Sequence, residues 1–102
     1  MSAPLTEKEF SKHVNTNFRV AADAPVELEL TQVKGYLSKA DEETGMERFS
    51  IFFQGPADRF LRQRIYQFEH EAMGEFELFL VPIAENEKGF QYEAVFNYYQ
   101  EK

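Results

Sequence analysis

From Phe49 to Tyr99 apolar and polar residues alternate through FSIFFQGP, IYQFEHEAMGEFELFLVPI and FQYEAVFNYY, and this half of the chain holds thirteen of its sixteen aromatic residues. A period of two sends successive side chains to opposite faces of a strand, so the pattern predicts a β-sheet core. Strands are expected at Phe49 to Gln54, Ile65 to Glu71, Glu75 to Pro82 and Phe90 to Tyr99. The middle two form a hairpin around Ala72-Met73-Gly74, and Glu85 to Gly89 turns the chain into the last strand.

Upstream, Thr6-Glu7-Lys8-Glu9 matches a capping box, which predicts a short helix over residues 7 to 14 with Phe10 and Val14 on one side. At two turns such a helix must lean on the sheet. Phe18 and Val20 suggest a short strand and Asp23-Ala24-Pro25 a turn. Val26, Leu28 and Leu30 then alternate with Glu27, Glu29 and Thr31 as a further strand, extended through Val33 to Leu37 with a bulge expected at Gly35. Lys39 to Gly45 reads as a mobile polar loop. Gly55-Pro56 breaks the next strand, and Ala57 to Gln63 reads as a crossing segment, with room for one helical turn, that buries Phe60 and Leu61. The expected architecture is one all-β domain over residues 1–102, a six-stranded antiparallel barrel or sandwich with one N-terminal helix.

The alternation also sorts the two faces. Tyr66, Phe68 and His70 share a face with Phe76, Leu78 and Leu80, and with Phe90, Tyr92, Ala94, Phe96 and Tyr98 of the last strand; this is the predicted core. The opposite face begins acidic at Glu69, Glu71, Glu75 and Glu77 and turns apolar at Ile65, Phe79, Val81, Val95 and Tyr99, joined by Phe52. A small antiparallel sheet commonly leaves one face wet, so a second apolar face calls for a cover. Three are open to it: first the N-terminal helix through Phe10 and Val14, next closure of the strands with both patches inside, and last a protein partner or self-association. The candidate interaction surface is therefore Phe79, Val81, Val95 and Tyr99. Arg59, Arg62 and Arg64 form the one basic cluster, read first as a solvated loop and second as a contact for an anion or an acidic partner.

Composition narrows the classes of function. A chain of 102 residues with 43% apolar residues and eleven Phe suits one domain with its own core. It has no Cys, which excludes a disulfide framework, a thiol nucleophile and a thiolate metal site. The net charge of −7 opposes an extended contact with a phosphate backbone, so nucleic acid is not an expected partner. No basic stretch followed by an apolar run opens the chain, and no apolar run approaches the ~20 residues of a membrane-spanning helix. A soluble cytoplasmic protein is expected.

No catalytic, cofactor or metal site is expected either. In Glu69-His70-Glu71 strand alternation points His70 away from both glutamates, and the other histidine, His13, lies far off in the chain. The predicted role of His70 is structural, as a hydrogen-bond partner of a loop carbonyl. The glutamates of the hairpin are a carboxylate cluster of the kind glycoside hydrolysis uses, but an exposed hairpin tip lacks the cleft that would raise one pKa. Ser2, Ser11, Ser38 and Ser50 lack a nucleophile-elbow context, the glycines are scattered singly, and Asp41-Glu42-Glu43 does not match a calcium loop.

Through FSIFFQGP (Phe49–Pro56), YQFEH (Tyr66–His70), MGEFELFLVPI (Met73–Ile83) and YEAVFN (Tyr92–Asn97) the chain resembles a small bacterial domain family of unknown function. The resemblance attaches no activity, cofactor or catalytic residue to any position. It implies an association with genes for phage-tail-like and tail-collar proteins, hence an assembly or accessory component. The resulting expectation is a non-enzymatic protein-interaction or assembly module, and the alternative is a β-barrel that binds a small apolar ligand among its aromatics.

Overall fold

One short helix leads into six strands in the order α1 (Glu7–Ser11), β1 (Asn17–Ala21), β2 (Val26–Gly35), β3 (Met46–Gln54), β4 (Arg64–His70), β5 (Gly74–Asn86) and β6 (Gly89–Tyr99). The structure, a computed structural model, describes residues 5–36 and 46–99, with the side chains of 5–36 and 48–97. The expected loop from Lys39 to Gly45 lies outside the described residues. Every strand pairing is antiparallel, and the strands close into a barrel in the order β1-β2-β3-β6-β5-β4, with β4 returning to β1. The all-β class and the helix-then-strands order are those read from the sequence.

Alternation does the sorting. Phe18 and Val20 of β1, Val26, Leu28 and Leu30 of β2, Tyr66, Phe68 and His70 of β4 and Phe76, Leu78 and Leu80 of β5 all point into the barrel, and each is buried. Phe49, Ile51 and Phe53 of β3 and Tyr92 and Ala94 of β6 complete the interior.

The two ends of the barrel are sealed differently. At one end sits α1, whose N-cap residue Thr6 accepts a hydrogen bond from the Glu9 N–H through its side chain at 3.1 Å. The helix delivers Phe10 into the lumen, fully buried, with its ring centroid 5.5 to 6.3 Å from those of Phe96, Phe76, Phe49 and Phe18. It stops at Ser11, three residues short of the predicted end at residue 14. Asn15 takes a left-handed conformation (φ 72°), which Asn tolerates better than most residues. Its N–H and the Thr16 carbonyl then bond Leu30 of β2, so the chain is turned into β1 before another helical turn can form. The helix thus closes the end of the barrel and leaves the outer apolar face alone.

At the other end the chain must cross from β3 to β4, which are not neighbours in the barrel. The crossing segment starts with mutual backbone bonds between Gly55 and Phe90. Gly89, at φ 143°, is required here: a Cβ would run into the Gly55 carbonyl and the Pro56–Ala57 backbone. The Leu61 N–H then donates to the buried Tyr92 hydroxyl at 2.9 Å. No helical turn forms: Ala57 and Asp58 make a turn, and Arg59 to Gln63 carry no helix or strand. Leu61 is buried as expected, whereas Phe60 is 58% exposed and lies edge-on against Phe90.

The predicted bulge is displaced. Gly35 pairs regularly with Phe49, and the register shift falls between Leu30 and Gln32. Gly35 instead lies beside the helix, where a Cβ would come within 2.6 Å of the Glu7 carboxylate and make that side chain shift. A second shift lies between Pro82 and Ala84, where proline has no N–H to give the ladder.

Replacing Phe10 with Ala should cost about 3–5 kcal/mol of unfolding free energy, the range for emptying a buried aromatic site. Urea titration measures this directly, and a cost near zero would show that the helix does not seal the barrel.

Candidate functional site

A closed barrel has a single inside, so every second residue of each strand must face out whatever its chemistry. Closure therefore does not bring both apolar patches inside. On the outer surface Ile65 of β4 pairs across to Phe79 of β5, Val81 of β5 to Glu93 of β6, and Glu93 and Val95 of β6 to Phe52 and Ser50 of β3. Ile65, Phe79 and Val95 are 63, 51 and 63% exposed, and Val81 and Phe52 are half-buried. Tyr99 ends β6, and its side chain is outside the described ones. Ile65, Phe79, Val81 and Val95 thus all lie on the outside of the barrel, and among the described residues neither the helix nor barrel closure covers Ile65, Phe79 and Val95.

Arg59, Arg62 and Arg64 converge on one groove of about 590 Å³. It opens where the β1–β4 ladder ends at the Ala21–Gln67 pair while β4 continues to Arg64. Arg59 is tied to the β1–β2 turn by a bond from Nη2 to the Ala24 carbonyl at 2.8 Å, and Arg64 lies over the Tyr66 ring at 5.7 Å. The Tyr66 hydroxyl donates to the Arg62 carbonyl, which fixes the backbone of the groove wall. No described carboxylate forms an ion pair with any of the three. Exposed Phe60 and Ile65 also line the groove. Phe60 was missed as a surface residue; nothing local in the sequence separates it from its buried neighbour Leu61.

The two histidines, far apart in sequence, meet at the helix-capped end with ring centroids 4.7 Å apart. His70 does not bond a loop carbonyl as predicted. Its Nδ1 accepts the N–H groups of Ala72 and Met73 at 3.0 and 3.1 Å, capping the β4–β5 turn. With Nδ1 so engaged the ring proton sits on Nε2, which donates to the Thr16 hydroxyl at 2.9 Å, and that hydroxyl donates to the His13 carbonyl. A base would need the opposite tautomer to take a proton from Thr16, so this His–Thr contact is built for position and not for nucleophilic attack. Burial pushes the His70 pKa below the ordinary histidine value and His13 adds to this, with Glu71 acting the other way. Nearby, bonds from His13 and Lys12 hold the Glu9 carboxyl below its usual range. No set of three described His, Asp or Glu residues converges as a metal site.

Aromatic side chains line the interior where the alternative expectation would put an apolar ligand. Phe10, Phe18, Phe49, Phe53, Phe68 and Tyr92 fill it and are fully buried, as suits a barrel of fewer than the eight strands that just accommodate interior side chains.

A family model described as Domain of unknown function (DUF6916) matches residues 5–96. The chain belongs to that family. No curated protein and no solved structure matches it. The DUF6916 match takes in α1, both seals of the barrel, the Arg groove and the outer face as far as Val95. Membership attaches no reaction to any of these residues, so the surfaces themselves carry the argument.

The His70 network makes stability depend on pH in a defined sense. An unfolded histidine takes up its proton near 6.5, whereas the folded ring resists it, so the unfolded chain binds more protons as pH falls. This contribution is complete above about pH 6.5 and is lost as pH drops through the lower folded value. Urea midpoints of the wild type should fall over that window, and His70→Gln, which keeps an acceptor without a titrating ring, should flatten the profile. Identical slopes would assign the pH dependence to other groups.

Proposed function

We propose that this domain is a non-enzymatic protein-interaction module that docks a partner on the outer face of β4, β5 and β6, centred on Phe79. The observation that carries the reading is the row Ile65, Phe79 and Val95, more than half exposed and uncovered among the described residues. Apolar area of this kind gains about 25 cal/mol for each Å² removed from water, and a partner is the means of removing it. The filled lumen and the tautomer of His70 support a binding role over a catalytic one.

The acids within the face select the occupant. Glu77 and Glu93 stand among the apolar residues. A second copy set face to face would bring these carboxylates together in an acidic chain, so the favoured occupant is a different protein with apolar side chains rimmed by Lys or Arg. The setting we propose is accessory to a phage-tail-like assembly, on the strength of the family resemblance, and tail-protein genes beside this one would support it.

Co-expression with the products of the neighbouring genes tests the module. Phe79→Glu should abolish co-elution with a bound partner while leaving the thermal unfolding midpoint nearly unchanged, and Val95→Glu should weaken it. Co-elution that survives both variants would sink the Phe79 face as the docking surface. A dimer of the purified chain that Phe79→Glu dissolves would make the occupant a second copy.

A further inference from the structure

We infer that the groove of Arg59, Arg62 and Arg64 is a second docking site, which takes an extended acidic polypeptide segment with an apolar residue between its carboxylates. The inference rests on the reading of the domain as an interaction module but uses a different surface. Acidic side chains outnumber basic ones by eighteen to eleven in this chain, so a cation without a carboxylate partner is not for want of supply. Lys12 and Arg19 do find glutamates. The three groove arginines do not pair with any described carboxylate, although they fall within six residues of one another. Arg59 gives one N–H to the Ala24 carbonyl, which orients the guanidinium and leaves its remaining donors for a ligand. Planar guanidinium forks match carboxylates in bidentate geometry.

The groove wall favours an extended occupant. The ladder from β1 ends at Gln67, and among the described residues no strand pairs with Arg64, Ile65 and Tyr66 on that side of β4. A strand edge left in this way is a template for another extended chain. Phe60 and Ile65, both more than half exposed, supply an apolar contact beside the charges. A long polyanion is disfavoured, since the molecule carries a net charge of −7. A short segment senses chiefly the charges that line the groove, three arginines against the single carboxylate of Asp23, because exposed charges beyond about 8–10 Å are screened at ordinary salt.

The probe is a fluorescein-labelled heptapeptide, Glu-Ile-Glu-Phe-Glu-Ile-Glu, followed by fluorescence anisotropy on the full chain. Saturable binding is expected, weakened several-fold between about 50 and 200 mM salt. Arg62→Glu with Arg64→Glu should weaken it by about tenfold or more, and the Arg-to-Gln pair should fall between. Both sites are exposed, so near-UV circular dichroism of the variants should match the wild type. Phe79→Glu should bind the peptide as the wild type does, so that a failure here and a failure of the Phe79 docking face are told apart. Undiminished binding by the double Glu variant, no binding by the wild type at millimolar protein, or equal binding of a labelled single-stranded DNA of similar length would each overturn the assignment.

Discussion

The cluster of Phe10 with Phe18, Phe49, Phe76 and Phe96 joins the helix to strands that are distant in sequence, and the rest of the barrel depends on it. A five-residue helix has no stability of its own, because its nucleation cost is spread over too few hydrogen bonds. It is held by tertiary contacts, above all the buried Phe10 ring, and by the Thr6 cap. In return the ring fills the end of a lumen that the strands alone would leave open to water. Gly35 lies at the same junction, with the Glu7 carboxylate packed over its missing Cβ.

With one end closed by a side chain and the other by the crossing segment, the interior is committed to packing. This decides where function can reside. Six large aromatic side chains, Phe10, Phe18, Phe49, Phe53, Phe68 and Tyr92, are buried in the lumen. The outer surface is then free to differ from a generic polar coat, and among the described residues it does so at the Phe79 row and at the three arginines.

Much of this was legible in the sequence because strand alternation is a local signal. The inward set of β4 and β5, the hairpin between them, and the grouping of Phe79, Val81 and Val95 all follow from counting by twos. The helix start was equally readable at Thr6, whose cap involves residues three apart. What escaped was non-local. The helix end depends on Asn15 and Thr16 reaching Leu30, the exposure of Phe60 depends on the path between two strands that do not touch, and the meeting of His13 with His70 depends on α1 and the β4–β5 turn sharing one end of the barrel. Closure itself had the largest consequence, because alternation shows that two faces exist and only topology says which of them has an inside.

Ile65 belongs to both outer surfaces, pairing with Phe79 on the face and lining the arginine groove. The two surfaces therefore meet along β4, yet they obey different physics. Contact on the Phe79 row is driven chiefly by removal of apolar area, with only its rim charges sensitive to salt, whereas contact in the groove is charge-assisted and weakens as ions screen the guanidiniums. Ionic strength thus acts more strongly on the groove than on the Phe79 face. A partner that used both would lose the groove contribution first as salt rises and keep the apolar one, so a salt titration that flattens at a residual affinity would be the mark of a single partner wrapped across Ile65.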